Sequence, residues 1–189
     1  MTEIGEPEYL IPQVRVDGTV HLAEPDPVWA EWYAREADRI RTALGARALV
    51  VEHVGSTSVP GLPAKPAIDI VLVVADSGDE DGYLPDLRDA GYRLKLREPG
   101  WYEHRLLIDD GPAVQVHVFS EGSTEVARML AFRDRLRSHT GDREVYLRAK
   151  RELAARRWAY VQDYADAKSS VVEAILARAQ AERAKPDRR

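Results

Sequence analysis

With 189 residues, 44% of them apolar and 31% charged, the chain suits one domain that buries roughly 70% of its unfolded surface without staples. A net charge of −5 excludes a general nucleic-acid binder, which needs a basic face to displace counterions from phosphates. The absence of cysteine excludes disulfide and thiolate chemistry, and no apolar run approaches the roughly 20 residues of a membrane span.

The opening MTEIGEPEYL lacks a basic stretch followed by an apolar one, so no secretory signal is read and a cytoplasmic protein is expected. Residues 14 to 22, VRVDGTVHL, place Asp17-Gly18 between short alternating runs, which predicts an N-terminal hairpin within about residues 1–25. Asp26-Pro27 is a helix opening, because Asp caps free backbone N–H groups and Pro at the first position has none to lose. Trp29, Tyr33, Ala37, Ile40 and Leu44 then share one helix face up to Gly45, and that face is expected to pack on a sheet as core.

Two apolar runs, Ala48 to Val54 and Ala67 to Val74, read as strands. The second is nearly continuous in apolar character, as in a strand covered on both faces. The acidic loop from Asp76 to Gly82 is expected to be exposed, since its carboxylates repel one another unless a cation binds. A short helix from Tyr83 to Ala90 should end at Gly91. YRLKLR, WYEHRLLID and AVQVHVF read as three further strands, the last two joined by a turn at Asp110-Gly111-Pro112. Three helices follow, at about Ser123 to Ser138, Asp142 to Arg157 and Tyr160 to Ala184, with a frayed tail KPDRR. Strands followed by helices predict one α+β domain over 1–189: a mixed, partly antiparallel sheet core over 26–120, a helical part over 121–184, and a ligand cleft between them.

The chemistry concentrates in EHVGSTSVPGLPAKPAID, Glu52 to Asp69, a longer and richer connection than two strands require. Glycine at Gly55 lets the backbone approach a phosphate. Ser56, Thr57 and Ser58 supply hydroxyls, and Lys65 supplies a mobile cation. Asp69, flanked by Ile68 and Ile70, is a carboxylate inside an apolar strand, which must be neutralised or face a cleft; the plain alternative is an Asp that accepts hydrogen bonds from the loop. His53 and His117 lie in alternating strands and could each be a histidine at the core edge. His104 suggests only packing or surface, whereas alternation puts Glu103 and Arg105 together, the first for a cation and the second for a phosphate.

From Gly122 to Arg157 there are ten Lys and Arg against five Asp and Glu, which reads as a solvated face or as cations closing over phosphates. Tyr146 with Lys150, and Tyr164 with Lys168, are each four apart and share a helix face. Each lysine is either a cationic finger steadied by a phenol or a snorkelling side chain. Arg133 is a further phosphate candidate.

EHVGSTSVPGLPAKPAIDI closely resembles the signature of the GrpB family, bacterial proteins of the nucleotidyltransferase superfamily whose domain also occurs fused to some dephospho-coenzyme A kinases. DPVWAEWY, VHVF, FRDRLR, YLRAK and YADAK follow in the expected order, so that the likeness covers most of residues 20 to 180. It implies a nucleotidyltransferase-like mixed sheet with flanking helices, and an enzyme that takes a nucleoside triphosphate with Mg²⁺ or Mn²⁺ and transfers a nucleotidyl or related group to a small acceptor. Gly55 and Ser56 match the phosphate-holding Gly-Ser, and Asp69 matches the first carboxylate of an Asp-x-Asp pair. The second place is Val71, and the strand expected to carry a third carboxylate offers Gln115 and His117. Three readings follow: one ion on Asp69 with Glu52 or Glu103; a softer metal on Asp69 and His117, acting on a nucleotide or on another substrate; or a module that binds a nucleotide or phosphometabolite without catalysis.

Overall fold

The computed structural model describes residues 6–13, 15–109 and 114–183. A six-stranded mixed sheet has the order β1-β5-β6-β7-β4-β3, with β1 at Glu8–Tyr9, β3 at Val50–Val54, β4 at Ile68–Val74, β5 at Tyr92–Glu98, β6 at His104–Asp109 and β7 at Val114–Ser120. β4 and β7 run parallel and the other neighbours antiparallel. The helices are α1 at Val28–Leu44, α2 at Leu84–Asp89, α3 at Thr124–Ser138, α4 at Thr140–Ala154, α5 at Val161–Asp166 and α6 at Ser169–Arg183. This is the expected α+β arrangement, with a mixed sheet, flanking helices and a helical C-terminal part. No helix among the described residues is long and apolar enough to cross a membrane.

Alternation along the strands decides what each face holds. Ile68, Ile70, Leu72 and Val74 of β4 join Val114, Val116 and Val118 of β7 in the main core beneath α1 and α2. The expected α1 face is there: Trp29, Ala37, Ile40 and Leu44 are buried in it, and Tyr33 packs at its side. Asp26 accepts a hydrogen bond from the Val28 N–H at 2.9 Å, and Gly45 closes the helix at φ 56°, so both predicted helix ends hold. On the opposite face, Val71, Val73 and Phe119 pack with Val126 of α3.

Four expectations need correction. Asp17-Gly18 does not turn a hairpin: β2, Arg15–Gly18, pairs with β8, Trp158–Tyr160, because the chain finds its partner more than a hundred residues away. The third C-terminal helix is consequently divided into β8, α5 and α6. WYEHRLLID begins its strand only at His104, since Tyr102 and Glu103 have positive φ of 55° and 50°, outside the extended range. The acidic loop is not wholly solvated, because Glu80 accepts from both Arg97 and Arg105 at 2.6 Å. The predicted turn at Asp110-Gly111-Pro112 and the KPDRR tail lie outside the described residues.

Candidate active site

Gly55 turns the chain out of β3 at φ 69°, and Ser56–Ser58 form a short 3-10 turn. Two of the three hydroxyls are spent inside this loop. Thr57 donates to the Ala67 carbonyl at 2.8 Å and receives the His53 Nε2 proton across 3.1 Å, while Ser58 donates to the Gly55 carbonyl at 2.6 Å. Thr57 thereby ties the start of the loop to its end, while Ser56 lines the cavity and hydrogen-bonds the buried Tyr146 hydroxyl. His53 is stacked on Tyr33 with ring centroids 4.6 Å apart. Burial lowers its pKa to about 4, so it is the neutral core histidine that alternation allowed.

The helices fasten the loop from outside. Arg137 donates twice to the Ser58 carbonyl, at 2.9 and 2.7 Å, and Arg133 donates to Glu52 Oε2 at 2.6 Å and to the His53 carbonyl at 3.0 Å. Lys150 of α4, 1% exposed, donates from Nζ to the Pro63 carbonyl at 2.6 Å.

Gly55, Ser56, Thr57, Lys65, Asp69, His117, Lys150 and Lys168 all line one cavity of about 290 Å³, together with Gln115 and Tyr164. Asp69 and Gln115 are register partners on the parallel pair β4 and β7, so that alternation carries Asp69, Gln115 and His117 to one face. Each lysine is steadied by the expected phenol ring: Lys168 Nζ lies 4.4 Å from the Tyr164 ring centroid, and Lys150 Nζ lies 5.4 Å from that of Tyr146. Burial, and then the neighbouring charge of Lys168, lowers the Lys150 pKa to about 7, with Asp69 opposing. Burial also lowers that of Lys168 to about 8, Asp69 again opposing it and Lys65 adding to it. Tyr164 also lines this cavity, and among the described residues its buried hydroxyl has no hydrogen-bond partner.

Glu98 Oε2 meets His104 Nδ1 at 2.7 Å, and His104 Nε2 meets His117 Nδ1 at 3.1 Å. The far nitrogen, His117 Nε2, stands 3.8 Å from Asp69 Oδ1. Burial lowers the His104 pKa to about 4, so its ring is neutral, donates Nδ1–H to the carboxylate and accepts from His117 Nδ1–H. In a neutral His117 ring this leaves the Nε2 lone pair on the cavity side, the arrangement that commonly orients a metal-binding histidine. That lone pair and the Asp69 carboxylate give the cavity two donor groups 3.8 Å apart. Among the described residues, no group of three His, Cys, Asp or Glu is placed to hold a metal ion, and Val71 is fully buried under α3. The donor set does not fit two ions.

Other candidates lie elsewhere. Arg105 pairs in register with Val118, which puts it on the core face; it is buried and engaged with Glu80 and Glu103. Glu103 stays with Arg105, and Glu52 is held by Arg133. Glu52, Ser58 and Arg133 line a separate cavity beside α1. The residues that sequence reasoning passed over are His104 and Glu98. Their signal was strand parity: His117 opposes Leu106, so the even-numbered residues of β6 share its face.

A protein-family model described as "GrpB protein" matches residues 19–178. The chain is similar to a UPF0157 protein of Halalkalibacterium halodurans, 55% identical over 165 residues that make up 87% of this chain and 85% of the relative. It is also similar to a dephospho-CoA kinase of Mycolicibacterium paratuberculosis, 32% identical over 163 residues, 72% of this chain and 40% of the longer relative. A crystal structure of the conserved protein GrpB from Enterococcus faecalis superposes with a TM-score of 0.72 at 30% identity, covering 85% of this chain and 99% of that one.

Proposed function

Because this chain belongs to the GrpB family, we propose that it is a group-transfer enzyme of nucleotidyltransferase type. It binds the phosphates of a nucleoside triphosphate with a divalent ion and passes a nucleotidyl or related group to a small acceptor. The observation that carries this reading is the convergence of Lys65, Lys150 and Lys168 with Asp69 and His117 on one cavity. Burial lowers the pKa of both Lys150 and Lys168, and one neighbouring ammonium group adds to each shift; such groups are costly to assemble without an anion between them. The Tyr164 hydroxyl, without a partner among the described residues, offers that anion a further donor.

Each residue has a role that follows from its surroundings. Gly55 and Ser56 approach the phosphates, Lys150 and Lys168 neutralise them from the helical side, and Lys65 closes from the loop. Asp69 and His117 would hold the ion, with His104 and Glu98 fixing the imidazole; an imidazole beside a carboxylate suits Mn²⁺ better than Mg²⁺. The ion would neutralise phosphate charge and make phosphorus more electrophilic. Thr57, Ser58, Arg133, Glu52, Glu103 and Arg105 serve the scaffold in this reading.

The burial of Val71 under α3 favours a second reading, in which the site binds a nucleotide or phosphometabolite without turnover, as a module beside a partner enzyme. The dephospho-CoA kinase relative, in which the matched region is part of a longer chain, is consistent with it. Calorimetry with ATP and Mn²⁺, run with an assay of pyrophosphate release over a panel of small acceptors, separates the two. An enzyme shows turnover that Asp69→Asn abolishes while the fold persists. A module binds without turnover, and Asp69→Asn changes its affinity little. If no nucleoside triphosphate binds with Mg²⁺ or Mn²⁺, both nucleotide readings fall.

A further inference from the structure

The face that carries Asp69 and His117 continues across the sheet. His117 opposes Leu106, Leu106 opposes Leu96, His104 opposes Glu98, and Leu96 opposes Tyr9. Register therefore puts Glu98, His104, Leu106 and Tyr9 on the same face as His117. This strip floors a second cavity of about 490 Å³, which shares Gln115, His117, Met129 and Gln162 with the phosphate cavity. The two are chambers of one cleft, divided at His117.

Their chemistries are opposite. The first chamber holds three lysines and one carboxylate. The second is lined by Glu98, Glu125 and Asp166, with no lysine or arginine among the described residues, and by Tyr9, Trp101 and Leu106. Glu125 is paired with Arg128 at 2.8 Å. Glu98 and Asp166 instead bond to neutral groups, the His104 ring and the Gln162 amide. The second chamber thus combines an aromatic and aliphatic wall with three carboxylates, of which Glu125 is paired with Arg128, Asp166 also feels the charge of Lys168, and Glu98 bonds no cation among the described residues. That combination repels a polyphosphate and attracts an ammonium group carried on an apolar body.

We propose that this second chamber is the acceptor subsite and that the acceptor is a small amine-bearing molecule with an apolar or aromatic body. This rests on the reading of the first chamber as the phosphate site. Adjacency across His117 brings such a molecule beside the phosphates without asking it to enter the lysine cluster.

The test uses the whole protein, with phenethylamine, its isosteric acid phenylacetate, and inorganic tripolyphosphate as probes in an NMR titration. Phenethylamine should bind and shift resonances of Tyr9, Trp101 and Leu106, with phenylacetate at least tenfold weaker. Tyr9→Ala and Asp166→Asn should each weaken the amine about fivefold, and Tyr9→Ala should leave the tripolyphosphate affinity unchanged. Equal or tighter binding of phenylacetate, or amine shifts confined to other surfaces, would overturn the proposal. Tripolyphosphate binding without any amine binding overturns the acceptor subsite and leaves the phosphate chamber standing. Amine binding without tripolyphosphate binding overturns the phosphate chamber and the acceptor role with it.

Discussion

A Cβ added to Gly55 would collide with the Asp69 carboxylate, in a backbone conformation of φ 69°. Gly55→Ala therefore has to displace the carboxylate as well as strain the turn, and should lower unfolding stability by about 2–4 kcal/mol, read by urea denaturation. The lysines make a pH prediction. Both have folded pKa values, about 7 and about 8, below their ordinary value near 10.5. Between roughly pH 7 and 10 the folded state thus binds fewer protons than the unfolded one, and stability rises with pH across that window. Lys150→Met should flatten the rise in urea midpoints measured at pH 7 and pH 9. Under the proposed function tripolyphosphate binds the charged lysines and should do the opposite: its affinity should fall severalfold from pH 6.5 to 9, with proton uptake detectable by calorimetry in buffers of different ionisation heat.

At the scale of the element, the Glu52 to Asp69 segment divides into residues that build the loop and residues that face the cavity. Thr57→Val removes the bridge to Ala67 and His53 and should cost about 1–3 kcal/mol of stability, whereas Ser56→Ala, which removes a single bond to Tyr146, should cost about 0.5–1.5 kcal/mol and weaken tripolyphosphate binding. Sequence reasoning counted three equivalent hydroxyls, because hydroxyl chemistry is the same whether the partner is a phosphate or a carbonyl ten residues on. Strand β4 gives a second case. Val71→Asp restores the Asp-x-Asp pattern on paper, but its side chain enters the packing of Val73, Phe119 and Val126. We expect a loss of about 3–5 kcal/mol with no gain in Mn²⁺ affinity, measured by denaturation and metal titration.

At the scale of the whole molecule, the helical wall of the cleft is anchored by the N-terminal segment. β2 pairs with β8 immediately before α5, which bears Tyr164, and Val20 packs with Leu153, Ala154 and Tyr164. Removing residues 1–18 should leave the main sheet core folded, since that core is built from α1 onward, yet raise hydrogen exchange across 158–168 and weaken tripolyphosphate binding at least fivefold. The charged helices belong to this scale too. Arg135 and Arg178 share Asp142, and Arg135 also reaches Glu182, so these cations join helices to one another, whereas Lys150 and Lys168 line the cavity of Asp69.

The sequence by itself determined the local periods: the face of α1, the strand positions, the glycine-led loop and the isolated Asp69. These follow from alternation, helical spacing and turn chemistry within a few residues of one another. Tertiary structure decided which face of each strand met the cleft. One step of parity moved Arg105 to the core and brought His104 to His117, and a long-range partner turned the expected hairpin at Asp17-Gly18 into half of β2–β8. Pairing between distant strands is a choice among competing partners, and only the packed core determines which of them wins.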